Sequence, residues 1–214
     1  MSLVKLCKNY EESEYEIIHQ IPHFIFPIGG LYLTTIPRLI LLLSNHKNKF
    51  KILLREIKSI KNPSAKDLYK LSYLRKCILE MLRLNNPVVT TFRTCLKDLN
   101  LDKYKFFKGD QLLILNNPVL RNPEIFKNPN KFIPERWTHS LEKSYFSISF
   151  NQGPQRCPAK ELAIFLVGSF IVNFVTITGI LEKGPEILKT KKIDTKYIHQ
   201  MINTCDLKFK LSIP

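Results

Sequence analysis

Paired cysteines are what this sequence most lacks. Five are present, Cys7, Cys77, Cys95, Cys157 and Cys205; they are widely spaced, odd in number, and form no Cys-x-x-Cys unit. That pattern argues against a disulfide framework and against a zinc site, and points to a reducing, intracellular compartment. The N-terminal stretch MSLVKLCKNYEESEYEI has no apolar central region. No signal peptide is therefore expected, and the location implied is cytoplasmic or membrane-associated. Internal repeats and low-complexity linkers are missing too. Acidic residues are scarce, 18 Asp and Glu against 33 Lys and Arg, for a net charge of +15. Heavy use of Lys, Asn and Ile accounts for most of that excess as compositional drift. A basic face would also suit an acidic partner, such as an electron donor or an anionic membrane. Basic residues do not interleave with aromatics and no nucleic-acid module is recognisable, so nucleic acid is not an expected partner.

What is present is enough for one good core or two small ones: 214 residues, 44% of them hydrophobic. The charged segment Tyr10 to Gln20 reads as a short helix. Phe24 to Leu43, FIFPIGGLYLTTIPRLILLL, is apolar and long enough to weigh as a membrane span. Pro27, the Gly29–Gly30 pair, Pro37 and Arg38 interrupt it, which favours a long helix crossing a protein core. Phe50, Leu53, Leu54 and Ile57 then fall on one face of an amphipathic helix ending near Lys58. After the Asn62–Pro63 break, Ser64 or Asp67 can cap the next helical segment. A strong amphipathic helix spans Leu71 to Leu84. Inside it Glu80 and Arg83 lie three apart, on one face and within ion-pair reach. An exposed pair of that kind contributes only a few tenths of a kcal/mol, but apolar neighbours on both sides suggest partial burial.

Val88 to Cys95 has the β-branched composition of a strand. Lys108–Gly109–Asp110 reads as a hairpin turn leading into the strand QLLILN. The next segment, NNPVLRNPEIFKNPNKFIPERW, is rich in proline and asparagine, so it should be an irregular meander. A loop that long usually serves a functional or dedicated structural purpose. Thr176 to Leu181 and Asp206 to Ile213 read as strands separated by a lysine-rich loop.

Between meander and C-terminus stands FNQGPQRCPAKELAIF, Phe150 to Phe165, a loop running into a helix with Cys157 at the junction. Gly153 and Pro154 tighten the loop, and Pro158 sits where a first helical turn tolerates a missing N–H. A thiolate placed there faces the positive end of a helix, which suits a permanently anionic ligand. The alternative is a buried structural cysteine, the commoner fate of a lone Cys.

Taken in order, Glu80-x-x-Arg83 on a helix, Pro134-Glu-Arg-Trp137 in the meander, and Phe150-x-x-Gly153 ahead of Cys157 resemble the heme-thiolate monooxygenases of the cytochrome P-450 family. The resemblance runs from about Phe24 to the C-terminus, after an extension over residues 1–23. It implies a mainly α fold with small β sheets: a long central helix, the Glu-x-x-Arg helix, the meander, the cysteine loop and its following helix. It further implies heme, iron protoporphyrin, as cofactor, with Cys157 as axial thiolate and metal ligand. Phe150 would shield the sulfur and Gly153 would be the close-approach glycine. Glu80, Arg83 and Arg136 would form the structural ion-pair set, and Arg93 would meet a heme propionate.

Three departures qualify what the resemblance implies. The position two before the cysteine is Gln155, with Arg156 following, where the family usually has an arginine. The family's glycine two after the cysteine is Ala159. On the oxygen-side helix, Gly29-Gly30-Leu31-Tyr32-Leu33-Thr34-Thr35 carries no carboxylate. Thr34 or Thr35 is left as the hydroxyl for proton delivery. The family also has an N-terminal half ahead of this helix, so the resemblance implies a truncated form and a missing half, or another protein partner, to cover the helix. The expected activity is insertion of one oxygen atom into an organic substrate, with electrons from a reductase or ferredoxin. The competing readings are a non-catalytic relic acting as an interaction protein, and a membrane-associated protein using Phe24 to Leu43.

Overall fold

The computed structural model describes residues 14–60, 65–177, 186–187 and 209–210. Helix α1 (Glu14–Gly30), a π segment (Leu31–Thr35) and helix α2 (Ile36–Asn45) succeed one another without a break. The π segment has a local cause. Pro37 has no N–H to offer the carbonyl of Leu33 four residues back, so the α-helical ladder must shift there. Thr34 Oγ1 donates to Gly30 O at 2.6 Å within the same stretch.

The charged segment that begins this rod does not stop at Gln20 but runs on through Pro22 and Pro27 to Gly30. The expected crossing of a core holds for the second half only. Ile36, Leu39, Ile40, Leu41 and Leu43 are buried, whereas Ile25 and Phe26 are 63% and 86% exposed. Ile25–Asn45 and Gly153–Thr176 are each long and apolar enough, by length and composition, to cross a membrane.

Helix α3 (Lys47–Lys58) buries Phe50, Leu53, Leu54 and Ile57, the face its spacing predicts. After α4 (Ala65–Leu68) comes α5 (Ser72–Leu84), the central helix, buried along most of its length. Its cap is not local. Ser64 lies outside the described residues, and Asp67 lies within α4, paired with Lys70 at 2.7 Å. Instead Glu56 of α3 accepts the N–H groups of Tyr73 and Leu74 at 2.7 and 2.9 Å and the Ser72 hydroxyl at 3.2 Å. A carboxylate there satisfies orphan first-turn donors and meets the positive end of the helix dipole.

Strands β1 (Thr90–Thr94) and β4 (Gln111–Leu115) pair antiparallel, Thr90 opposite Leu115. Between them β2 (Leu99–Leu101) and β3 (Tyr104–Phe106) form a separate hairpin, closed where Asp102 adopts φ 50°. The tight turn at Lys108–Gly109–Asp110 is present, with Gly109 at φ 96°. It does not join neighbouring strands of one hairpin, however; it returns the chain to β1. Gly109 N–H donates to Cys95 O and Cys95 N–H to Asp110 O, both at 2.8 Å.

Residues 116–137 contain only α6 (Asn116–Leu120) and a 3-10 turn at Pro134–Arg136, so the meander is as irregular as its composition suggests. Helix α7 (His139–Lys143) and two 3-10 turns, Ile148–Phe150 and Gly153–Gln155, lead to α8 (Lys160–Ile177). Thr176 and Ile177 belong to α8, not to a strand. Their β-branched neighbours Ile171, Val172 and Val175 are buried against the helical core, and that packing overrides strand propensity. Residues 178–181 lie outside the described set. Of Asp206 to Ile213, Phe209–Lys210 (β6) is described and pairs with β5 (Glu186–Ile187). The architecture is mainly α with small antiparallel sheets, and α5 packs against α2, α3 and α8.

Candidate functional site

Glu80 and Arg83 are both fully buried on α5, the stronger of the two outcomes their spacing allows. Arg83 Nε donates to Glu80 Oε2 and Arg83 Nη2 to Glu80 Oε1, each at 2.9 Å, a bidentate fork. Arg136, from the meander, adds Nε to Oε1 at 3.0 Å. Two further donors complete the carboxylate: Trp137 Nε1 to Oε2 at 2.9 Å and Ile133 N to Oε1 at 3.0 Å. Both arginines direct other N–H groups to backbone carbonyls. Arg83 reaches Leu120 O and Pro129 O at 2.7 and 2.8 Å, and Arg136 reaches Lys127 O at 2.7 Å. Arg83 also sits 5.1 Å above the centre of the Phe126 ring. The group does no chemistry on a substrate; it fastens the meander to α5. Sequence reasoning placed the three charged members but missed Trp137, although a buried indole N–H usually finds an acceptor and this is the sole tryptophan.

The cysteine loop comes after α7 in the chain. Cys157 is half-buried and its thiol is free. Its N–H donates to Phe150 O at 2.8 Å, which ties the two ends of the loop together. Phe150 is half-buried and packs against the main core. Gly153 adopts φ +72°, a left-handed conformation that L side chains resist, while a Cβ there would meet no protein atom within 4 Å. The demand on this glycine is conformational, not a matter of space within the chain. Gln155 and Arg156 are exposed, and Ala159 leads into α8 by accepting Ala163 N–H at 2.8 Å.

The remaining predicted residues lie on neighbouring elements. Arg93 sits on β1, half-buried, with Nη1 donating to Phe92 O at 2.7 Å. Helix α6 links that sheet to the Phe150 turn, since it packs against both. Thr34 and Thr35 lie in the π segment, which packs against α8. Thr35 is buried, and the Thr34 hydroxyl is engaged with Gly30 O. Tyr32 meets Phe170 of α8 edge to face at 6.1 Å.

A second ion cluster, unforeseen in the sequence, lies at the start of α8. Arg75 of α5 is bonded through Nε and Nη2 to the Glu142 carboxylate, and through Nη1 and Nη2 to the Glu161 carboxylate at 2.8 Å each. Lys160 Nζ adds a 2.8 Å bond to Glu142. Burial alone would raise the Glu142 carboxyl; hydrogen bonds from Arg75 and Lys160 outweigh it and hold the group at about 2. Hydrogen bonds to Glu161 and Glu142 raise Arg75 in turn. Nothing in the sequence signals this cluster, because Arg75 is separated from its two partners by 67 and 86 positions.

A family model, Cytochrome P450, matches residues 32–176. The chain belongs to the cytochrome P450 family. A (21S)-21-acetyl-1-hydroxy-apo-melianone synthase of Melia azedarach is 34% identical over 123 residues, covering 58% of this chain and 25% of that protein. A beta-amyrin 28-monooxygenase of Saponaria officinalis is 35% identical over 127 residues, 59% of this chain and 24% of that protein. A beta-amyrin 16-beta-monooxygenase of Platycodon grandiflorus is 34% identical over 125 residues, 56% and 26% respectively. The chain thus spans about a quarter of the length of the curated relatives it matches. Cytochrome P450 proteins bind heme and typically draw on redox partners such as a reductase; membership suggests monooxygenase chemistry. The donor set fits such a group. The free, half-buried thiol of Cys157 suits a metal whose other ligands come from a macrocycle.

Proposed function

We propose that this chain is the heme-thiolate part of a cytochrome P450 monooxygenase and that Cys157 is the axial iron ligand. The observation that carries the reading is the Cys157 loop: a free, half-buried thiol, its backbone pinned to Phe150 O, between a left-handed glycine and the first turn of α8. The first-turn N–H groups and dipole of α8 favour negative sulfur nearby. When bound, heme supplies the oxygen chemistry, and a thiolate ligand favours O–O cleavage.

The chain's own residues then bind and orient. Arg93 and Arg156 would hold the propionates through charge-assisted hydrogen bonds. Phe150, Gly153, Gln155 and Ala159 shape the loop around the sulfur. Thr34 or Thr35 of the π segment would supply the hydroxyl for a proton at the oxygen side; the Thr34 hydroxyl also donates to Gly30 O, and Thr35 is buried. The basic balance suits an acidic electron donor, a reductase or a ferredoxin. Turnover of an organic substrate is proposed for this part acting with the rest of the family's length, in which the relatives hold about three quarters of their residues. A non-catalytic relic gains no support from the comparisons.

The test is an absorption spectrum of the purified chain with hemin, reduced and exposed to carbon monoxide. A strongly red-shifted Soret band, lost in Cys157→Ala, is the expected result. A band that survives Cys157→Ala, or no band from a folded chain, would overturn the assignment.

A further inference from the structure

Helix α8 carries apolar residues on every side. Ile164, Val167, Ile171, Val172 and Val175 are buried, yet Leu162 and Phe170 remain 48% and 37% exposed. Burial of apolar surface therefore discriminates weakly between one rotation of this helix and another. A turn of one residue would swing its first turn by about 100°; in one sense it would bring Asn173 and Thr176 inward, but in the other it would replace the buried face by another apolar one, Ala163, Leu166, Phe170 and Phe174. The position of Cys157, three residues ahead of Lys160, depends on that rotation. The N–H of Cys157 bonds to Phe150 O, which fixes the loop on one side, while on the other side the chain runs on three residues to Lys160 of α8.

The charged residues of the first turn break the degeneracy. Lys160 and Glu161 are adjacent, so they point to different sides of α8. Each is fixed to a separate neighbour: Lys160 to Glu142 of α7, and Glu161 to Arg75 of α5. Arg75 closes the ring by bonding Glu142 as well. Three helices are locked by one four-residue cycle with no member unpaired. The present rotation of α8 satisfies both contacts at once. Arg75, Glu142 and Lys160 are largely covered and Glu161 is exposed; such ion networks are poor sources of net stability, and specifying register is their better attested use.

We infer that Arg75, Glu142, Lys160 and Glu161 are positioning residues that set the rotation of α8 and thereby the place where the Cys157 sulfur emerges. The inference rests on the proposed heme-thiolate reading for its spectroscopic test, and a second readout is independent of it. In that role the cluster differs from the Glu80 group, whose hydrogen bonds join the meander to α5.

The experiment compares Arg75→Gln, Glu142→Gln and the double variant R75Q/E142Q with the parent chain and with Glu135→Gln. Glu135 pairs with Lys49 of α3 at 2.7 Å and accepts the Tyr73 hydroxyl at 2.8 Å, so it serves as a carboxylate bonded to α3 and α5 but outside the cluster. Melting temperature is read beside the ferrous carbon-monoxide spectrum of the hemin-loaded chain. The single variants should lose most of the thiolate-type band, several-fold more than Glu135→Gln at a matched loss of melting temperature. The double variant, which leaves no stranded charge between residues 75 and 142, should recover melting temperature without recovering the band. Arg75→Lys, keeping charge but not the two-sided fork, should fall between parent and Arg75→Gln. Recovery of band and melting temperature together would make the cluster merely structural and overturn the inference.

If the parent gives no thiolate band, the heme reading fails and the rate of Cys157 alkylation by iodoacetamide, mapped by mass spectrometry, decides instead. The buried Cys77 and Cys95 serve as internal references for unfolding. A several-fold change at Cys157 in Glu142→Gln, with Cys77 and Cys95 still protected, supports the cluster's role. An unchanged rate refutes it.

Discussion

Replacing Glu80 by alanine probes the arrangement that fastens the meander. The carboxylate accepts from Arg83 twice, from Arg136, from Trp137 and from the Ile133 backbone. Its removal strands a guanidinium that is fully buried, together with an indole N–H and a backbone N–H. Breaking a buried pair by deleting one partner costs about 3–5 kcal/mol. Each buried donor left unsatisfied adds roughly 1–3 kcal/mol unless water enters. A loss of about 4 kcal/mol is therefore the central expectation. With a urea slope of about 2 kcal/mol per molar, it moves the unfolding midpoint down by roughly 2 M.

Circular dichroism follows the helices. Trp137, the sole tryptophan and 3% exposed, reports the meander by fluorescence. Because Trp137 itself bonds to Glu80, its fluorescence should shift toward that of exposed indole in native buffer, before any helix is lost. Arg83→Lys should cost nearly as much, since an ammonium cannot match the fork or reach the carbonyls of Leu120 and Pro129 together. A midpoint within about 0.3 M of the parent in Glu80→Ala, a few tenths of a kcal/mol on the same slope, would refute the account and return the pair to the low value of an exposed ion pair.

Two further perturbations test the cysteine loop and the α8 cluster. Gly153→Ala places a Cβ at φ +72° and should cost about 1–2 kcal/mol by urea unfolding; because the space around that Cβ is open within the chain, a larger loss would reveal a steric role that the conformation alone does not explain. Glu142 is held at about 2 in the folded chain against 4.5 for an ordinary glutamate, so between those values the unfolded chain binds more protons. Its contribution is present above about pH 4.5 and falls away as pH drops toward 2. Urea midpoints measured from about pH 5.5 to 3 should fall more steeply for the parent than for Glu142→Gln, and parallel slopes would show that other carboxylates carry the acid sensitivity.

Local periodicity made much of this fold legible. Phe50, Leu53, Leu54 and Ile57 announced α3 and its buried face, and the three-residue spacing of Glu80 and Arg83 announced a shared helical face. Composition likewise announced an irregular meander. What stayed hidden were contacts whose partners lie far apart along the chain. The cap of α5 comes from Glu56, 17 and 18 positions before the N–H groups it accepts. Strand β4 pairs with β1 rather than with its nearest neighbour, and the β2–β3 hairpin turns on Asp102, a residue with no glycine beside it to mark the turn. Thr176 and Ile177 looked like strand because propensity is a local quantity, while the packing that keeps them helical is not. At the site, the cysteine loop was legible through its glycine, its prolines and the apolar helix behind it. The ring of charges that fixes that helix was not, since each member alone reads as an ordinary surface residue.

The meander is held through its carbonyl oxygens. Arg83 and Arg136 take hold of the backbone at Leu120, Lys127, Asn128, Pro129 and Lys131. A carbonyl is the same on every residue. Substitutions at Lys127 and Lys131 that preserve the path of the chain should thus be nearly silent for stability, Asn128 at φ 52° and Asn130, which accepts from Arg121, being the exceptions between them, whereas one inserted or deleted residue there, which displaces every carbonyl behind it, should be as damaging as the loss of an arginine. Tolerance to drift in letters, with intolerance to change in length, is the evolutionary signature this segment ought to carry.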